Sequence, residues 1–248
     1  MSAAYAKLAI PTLLISLLQI APAAANAFFF STGNPDGKIA TASRPGSGSI
    51  FEIESADDFI LSGPVSITSA TFTGLLPLGD TASDVGQVKV EIYRVFPNDS
   101  DVNRTSGLPK FSTPNVPTRV NSPSDVAFDE RDNVAGNLTF SATDLGSFNV
   151  LNTVQPAGIH PLPNVFTGGD GPFNGEEMQF DVSFTQPFLL PADHYFFVPQ
   201  VGLTNGGTLD SFLWLSAPKP IVAPGTPFMG DLQSWTRDDN KSDSISPD

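Results

Sequence analysis

The sequence predicts an all-β protein, built as a two-sheet sandwich of jelly-roll type with long irregular loops. Several segments alternate apolar and polar residues with period two, as strands with one buried face do. Outside the first 27 residues no long stretch keeps the 3.6-residue period of an amphipathic helix, and 23 Pro interrupt the 248-residue chain. The 20 Phe against 3 Tyr and 2 Trp predict a core of rings without hydroxyl groups to satisfy.

The strand pattern recurs along the chain between clusters of Gly, Pro, Asn and Asp. The predicted strands are residues 51–54, 65–72, 87–96, 138–140, 177–185, 195–201 and 211–215. The second strand changes face at Ser69, which predicts a β-bulge. Residues 195–201 are almost wholly apolar, so this strand is expected to be central.

The two clearest strands also predict which side chains enter the core, since alternate residues share a face. The core set is Val88, Val90 and Ile92 in one strand and Met178, Phe180, Val182 and Phe184 in the other. Two stretches, 97–136 and 141–175, show little strand pattern and are predicted to be long loops. A ligand site is expected to border one of them.

The N-terminus is typical of a signal peptide. Lys7 precedes an apolar run at residues 8–20, and an alanine-rich stretch follows that ends at Ala27. The run is shorter than the ~20 apolar residues that span a bilayer, so we expect cleavage after Ala27. Residues 28–236 then form one β-sandwich domain, and 237–248 form a polar, disordered tail.

Composition restricts the function. The chain has 12 Lys+Arg against 26 Asp+Glu, a net charge of -14, which argues against a nucleic-acid partner. With no Cys and 2 His, thiol catalysis and a zinc site of the usual composition are not expected. The sequence also lacks a Gly-x-Ser-x-Gly elbow, so we predict no catalytic residues and no resident cofactor.

One segment suggests a calcium site. Asp99, Asp101 and Asn103 place oxygen-bearing side chains at alternate positions, as the start of a calcium-binding loop does. Arg104 stands where the sharp turn of such a loop needs Gly. The three residues are therefore predicted either to bind Ca²⁺ or to form a solvated acidic turn.

Aromatic and carboxylate residues suggest carbohydrate chemistry. Trp235 stands among polar residues and Tyr93 on the polar face of its strand, so both are candidates for stacking on sugar rings. Trp214 has apolar neighbours and is predicted to lie in the core. Glu52 and Glu54 share a strand face, which permits either paired-carboxylate hydrolysis or ordinary surface charge.

Several segments resemble exported bacterial proteins of the PEP-CTERM sorting class. The segments are ESADDFIL at 54–61, ITSATFTGL at 67–75, VEIYRVFP at 90–97, NVPTRVNSPSD at 115–125 and DHYFFVPQ at 193–200. The resemblance implies export from a Gram-negative bacterium and carries no known chemistry. The class ends in Pro-Glu-Pro, a spanning run and an Arg cluster, whereas this sequence ends in a polar stretch, so no stable membrane anchor is expected.

Together these observations predict a non-enzymatic exported protein of the cell surface, periplasm or extracellular matrix, with exopolysaccharide as its expected partner. The first alternative is a calcium-stabilised adhesion module that uses the residues around Asp99. The second is a polysaccharide-active hydrolase that uses Glu52 and Glu54.

Overall fold

The structure, a computed structural model, describes residues 29–48, 50–100, 123–156, 169–206 and 211–218, together with the backbone of 235–238. These residues form strands and one short 3-10 turn, Ala82–Asp84. The strands are β1 (Ile39–Ala42), β2 (Ile53–Ile60), β3 (Val65–Leu76), β4 (Val85–Arg94), β5 (Asp129–Asp132), β6 (Leu138–Val150), β7 (Asn152–Val154), β8 (Phe173–Leu190), β9 (His194–Leu203), β10 (Leu213–Leu215) and β11 (Trp235–Asp238). Within these ranges, no helix is long and apolar enough to cross a bilayer.

The strands form two packed sheets, which confirms the predicted all-β sandwich. The six-stranded sheet has the order β6-β8-β3-β10-β1-β7, and the five-stranded sheet has the order β11-β2-β9-β4-β5. Among the described strands, β1 and β7 pair in parallel and the other neighbours pair antiparallel. The jelly-roll connectivity stays a prediction.

Local features of the strands match the sequence pattern. The β3–β8 register shifts between Ile67 and Ser69, where the bulge is predicted. Strand β9 lies between β2 and β4, as its apolar sequence indicates. The alternation in β4 and β8 holds, because the predicted core side chains of both strands are buried in one apolar cluster.

Parts of the two predicted loops are strands, so those predictions are wrong in these parts. Residues 141–150 continue β6, although most of their side chains are exposed, because their backbone pairs with β8. Asp129–Asp132 forms β5 against β4, and its charged sequence suits an unpaired sheet edge. Residues 101–122 and 157–168 lie outside the described residues.

The core contains packed phenylalanine rings, as the sequence predicts. Phe180 is fully buried, stacked on Phe72 with ring centroids 5.1 Å apart and edge-on to Phe212 at 5.5 Å. The buried Tyr195 is an exception to a core without hydroxyl groups, and its hydroxyl donates to the carbonyl of Pro191 at 3.1 Å. Offset-stacked and edge-to-face ring pairs stabilise the fold beyond what the burial of their area contributes.

The two sheets are joined where the chain passes from β1 to β2. The Ser43 hydroxyl donates to the Pro199 carbonyl of β9 at 2.6 Å and accepts the Ser55 amide at 3.2 Å. The Ser55 hydroxyl donates to the Ala42 carbonyl at 2.7 Å. Because Ser43 is fully buried, these bonds satisfy backbone groups that water does not reach.

Strand β11 runs to Asp238, two residues beyond the predicted end of the domain. It pairs with β2, so that Arg237 stands opposite Glu54 and Trp235 opposite Ala56. The predicted signal peptide and residues 239–248 of the predicted tail lie outside the described residues.

Candidate functional site

Strand β2 positions acidic side chains on both faces of the five-stranded sheet. Asp57 and Phe59 face the space between the sheets, while Asp58 faces outward, as strand alternation predicts for neighbouring carboxylates. The buried Asp58 carboxylate contacts Nε2 of His194 on β9 at 2.5 Å. The two aspartates therefore belong to different environments.

A cavity of about 480 Å³ lies on the inner side, between the two sheets and the segment 29–35. This volume is in the range of small-molecule sites, about 300–1,000 Å³. Its aromatic lining comes from both sheets and from the N-terminal segment: Phe29, Phe30, Phe59, Phe72, Phe197 and Trp214. Residues with hydroxyl or amide side chains also line it: Ser31, Thr32, Asn34, Ser66, Thr68, Ser69, Thr71, Thr73 and Gln179.

Asp57 is the charged side chain among the described residues that line the cavity. Its Oδ1 accepts the backbone N–H of Asp58 at 3.0 Å, and within the described part of the chain no lysine, arginine or histidine pairs with it. Burial, and secondarily the negative charge of Asp58, raises the pKa of Asp57 from 3.8 to about 6. A hydrogen-bond donor or a cation on a bound ligand would stabilise the ionised carboxylate.

Sequence reasoning missed two residues of this cavity. Trp214 was expected in the core, but it is only partly buried, packs edge-on against Phe197 with centroids 6.2 Å apart and lines the cavity. For Asp57 a signal was present, because it alternates in phase with Phe59 and so had to face inward. No local pattern distinguishes a core tryptophan from one at a cavity wall.

The outer face of the five-stranded sheet carries a carboxylate cluster, which we define as Glu52, Glu54 and Glu91. One oxygen of each carboxylate lies within 4.8 Å of the others. Glu54 and Glu91 are buried and Glu52 is half-buried. The prediction that Glu52 and Glu54 share a face is confirmed, but the buried Glu54 is not ordinary surface charge.

Lys89 and Tyr93, which share a face of β4 with Glu91, contact the cluster. The Lys89 ammonium forms an ion pair with Glu91 and lies 3.6 Å from Glu52 Oε1 and 3.1 Å from Glu130 Oε2. The Tyr93 hydroxyl is hydrogen-bonded to Glu54 and lies 3.1 Å from Glu91 Oε2. The arrangement joins β2, β4 and β5 through polar contacts.

The electrostatics of the cluster follow from burial and crowding. Burial, then the negative charges of Glu54 and Glu52, raises the pKa of Glu91 from 4.5 to about 8, although Lys89 opposes this. Burial lowers the pKa of Lys89, but the charge of Glu91 and the hydrogen bond to it outweigh burial and raise that pKa overall. Glu91 and Lys89 therefore hold their protons more strongly than an exposed glutamate and lysine do.

The other predicted site residues fall in different places. The Asp99 carboxylate is bound by the Arg94 guanidinium, with Nε 2.7 Å from Oδ2, while Asp101 and Asn103 lie outside the described residues. Tyr93 is buried, with 4% exposure, so its ring is not an open platform for a sugar. Trp235 lies in β11, and its side chain is not among those described. The calcium role of Asp99, Asp101 and Asn103 and the stacking role of Trp235 stay predictions.

Comparison of the chain with protein-family models, with curated proteins and with solved structures gives no match. The cavity, the carboxylate cluster and the sequence are therefore the features that bear on function. The resemblance to the PEP-CTERM class stays a prediction.

Proposed function

We propose that this chain is a non-enzymatic protein, exported by a Gram-negative bacterium, that binds exopolysaccharide at the cell surface or in the extracellular matrix. In this proposal the cavity beside Asp57 holds one or two sugar units. The observation that carries the proposal is the combination, in the lining of one cavity, of aromatic residues from both sheets, several residues with hydroxyl or amide side chains, and one aspartate.

This combination suits a sugar because a pyranose ring has apolar faces and a polar edge. Trp214 and Phe197 supply apolar area, and the Asp57 carboxylate accepts hydrogen bonds from sugar hydroxyls. Hydrogen bonds to a charged acceptor contribute about 1.5–3 kcal/mol each when they are buried. The lining thus provides both affinity and orientation for a saccharide.

The charge of the cavity and of the chain narrows the class of sugar. The net charge of -14 and the Asp57 carboxylate repel uronic or sulfated units. We therefore expect a neutral polysaccharide, or one with free amino groups that pair with Asp57. An amino group would also favour the ionised form of this carboxylate.

The 2 Trp of the chain allow a direct test by fluorescence titration. In Trp235→Phe, Trp214 is the single tryptophan, and neutral or amino oligosaccharides should shift its emission saturably. Asp57→Asn in this background should weaken binding by about tenfold or more. Asp144→Asn, which changes an exposed carboxylate on β6, is the matched control and should bind normally.

The reciprocal variant, Trp214→Phe, leaves Trp235 as the reporter. If oligosaccharide shifts the emission of Trp235 saturably but leaves the emission of Trp214 unchanged, the sugar binds at β11, which contradicts the proposal. If none of a panel of immobilised polysaccharides retains the protein, the proposal that it binds carbohydrate is wrong. The hydrolase alternative has its own test, which is turnover of a polysaccharide that Glu52→Gln abolishes.

A further inference from the structure

The cavity of the proposed sugar site opens where the pairing of two neighbouring strands ends. The ladder between β3 and β10 ends at Gly74 and Trp214. Toward the start of β3, residues 66–73 line one side of the cavity, and Leu215 and Ala217, which follow Trp214 in the chain, line another. The two segments therefore separate beyond this residue pair, and the cavity lies between them.

Part of the cavity wall is the edge of a strand. Consecutive residues of a strand point to opposite faces of the sheet, so a cavity on one face contacts every second residue. Every residue from 66 to 73 lines this cavity, which places it along the edge of β3, beside the backbone. Among the described strands, β8 pairs with this stretch from the other side. At about 3.3 Å per residue, the edge is about 23 Å long, enough for an extended chain that hydrogen-bonds to backbone N–H and C=O groups.

Asp57 brings a negative charge into this cavity, and the described basic side chains are bound elsewhere. Each of them pairs with or donates to another group, and none lines the cavity: Lys38, Arg44, Lys89, Arg94, Arg131 and His194. A neutral sugar would donate hydrogen bonds to Asp57 but would bring no counter-ion to the half-buried carboxylate. An ammonium group supplies three donors and a positive charge together.

The rings beside Asp57 also suit a positive charge. Phe197 lies directly opposite Asp57 in the β2–β9 register, and both residues line the cavity. Opposite residues of an antiparallel pair have Cβ atoms about 4.5–5.5 Å apart, so this ring lies next to the carboxylate. Trp214 packs edge-on against Phe197, with centroids 6.2 Å apart. Because the face of an aromatic ring attracts a cation within about 6 Å, these rings add to the attraction of the carboxylate for an ammonium group.

From the strand edge, the rings and the carboxylate together, we propose that the ligand is an oligosaccharide of hexosamine units with free amino groups. The sugar chain lies along the edge of β3 and places one ammonium group against Asp57. This inference rests on the proposed function, which takes a polysaccharide as the partner, and narrows the partner to a cationic one. The net charge of -14 attracts such a chain from solution.

The test is calorimetric titration of the purified protein at pH 7 with β-1,4-linked tetramers of glucosamine, N-acetylglucosamine and glucose. The glucosamine tetramer should bind about tenfold or more tightly than the other two, because it alone carries ammonium groups. Asp57→Asn should abolish this preference. Asp144→Asn, which removes an exposed carboxylate on β6, should keep it, whereas loss of the preference in this control would mean that the acidic surface attracts the tetramer and would overturn the inference.

The pH dependence of binding identifies the group that holds the ammonium. Asp57 is the titratable side chain in the described lining, since segment 29–35 and strands β3, β8, β9 and β10 contribute none, and Asp58 faces the other side of its sheet. With the pKa of Asp57 at about 6, its protonation should weaken binding of the glucosamine tetramer about tenfold between pH 7 and pH 5, where the amino groups stay protonated. Asp57→Asn should not show this loss, and a wild-type affinity that is constant between these pH values overturns the inference.

The outcomes separate this inference from the proposed function. If the three tetramers bind equally well and Asp57→Asn weakens all of them alike, the cavity binds sugar but the assignment of an amino sugar is wrong. If the glucosamine tetramer does not bind while an immobilised neutral polysaccharide retains the protein, again this inference alone is wrong. If no saccharide binds at all, both proposals are wrong.

A tetrapeptide of lysine distinguishes an amino sugar from a basic peptide, because it carries ammonium groups on a backbone that can also pair with a strand edge. It should bind at least tenfold more weakly than the glucosamine tetramer. Equal or tighter binding of the peptide that is lost in Asp57→Asn would show that the cavity accepts a basic peptide, which overturns the inference.

Discussion

Replacing Asp57 with Asn should stabilise the protein at neutral pH. The pKa of Asp57 is raised from its ordinary value of 3.8 to about 6 in the folded protein, chiefly by burial. At 1.36 kcal/mol per pKa unit, this difference means that the ionised carboxylate lowers the free energy of unfolding by about 3 kcal/mol at pH 7. Asn keeps an oxygen that accepts the Asp58 N–H, so the substitution removes the charge and retains the hydrogen bond.

The sign of the pH dependence follows from the raised pKa. Below 3.8 the carboxyl is protonated in both states, and the charge has no effect on stability. As the pH rises toward 6, the unfolded chain loses this proton before the folded chain does, so stability falls through that interval. The free energy of unfolding of Asp57→Asn should therefore exceed that of the wild type by about 0.5 kcal/mol at pH 4 and by about 3 kcal/mol at pH 7.

The gain in the free energy of unfolding is measured by urea unfolding at pH 4, 5.5 and 7, monitored by tryptophan fluorescence. It is seen as a higher urea midpoint, while the dependence of the free energy on urea concentration (the m-value) stays the same. The control is Asp144→Asn, in which an exposed carboxylate also accepts one nearby backbone N–H, from Gly146 at 2.7 Å. That variant should show no gain that grows with pH. A gain for Asp57→Asn below about 1 kcal/mol at pH 7, or one independent of pH, would show that the half-buried Asp57 carboxylate is well solvated in the folded protein and would refute the reasoning.

Three other substitutions test the packing by urea unfolding. Phe180→Ala should lower the free energy of unfolding by about 4 kcal/mol, because it empties a fully buried ring site, and a loss under 2 kcal/mol would contradict this. Gly74→Ala should lower it by about 1–3 kcal/mol, because the new Cβ would lie 2.0 Å from Phe212 Cε2, and an unchanged midpoint would show that this contact relaxes freely. Ser43→Ala should lower it by about 1–3 kcal/mol, since the Pro199 carbonyl loses its buried donor, whereas wild-type stability would mean that water replaces the hydroxyl.

The parts of the fold that could be predicted are those set by neighbouring residues. The alternation of Val88, Val90 and Ile92 fixes the buried face of β4 whatever that strand pairs with. The frame change at Ser69 likewise produces the bulge in β3. Both signals lie within a few residues of sequence.

The parts that could not be predicted depend on pairing between distant segments. Asp129–Asp132 has a charged sequence that is typical of a solvated loop, and it becomes β5 only because β4 offers an edge to pair with. The carboxylate cluster also depends on pairing between distant segments. Glu91 reaches Glu52 and Glu54 only because β9 pairs with both β2 and β4 and so places them in one sheet. No spacing along the chain encodes that register.

The carboxylate at position 57 is not explained by the fold. With its pKa raised to about 6, its ionisation should remove about 3 kcal/mol from a free energy of unfolding that is typically 5–15 kcal/mol for a whole domain. Asn at this position would make the same hydrogen bond to the Asp58 N–H without that loss. A cavity of about 480 Å³ stands beside the charge, and the described residues that line it supply no counter-ion. A ligand that donates hydrogen bonds or a positive charge to Asp57 would offset the loss, and the cavity offers the space in which it would bind.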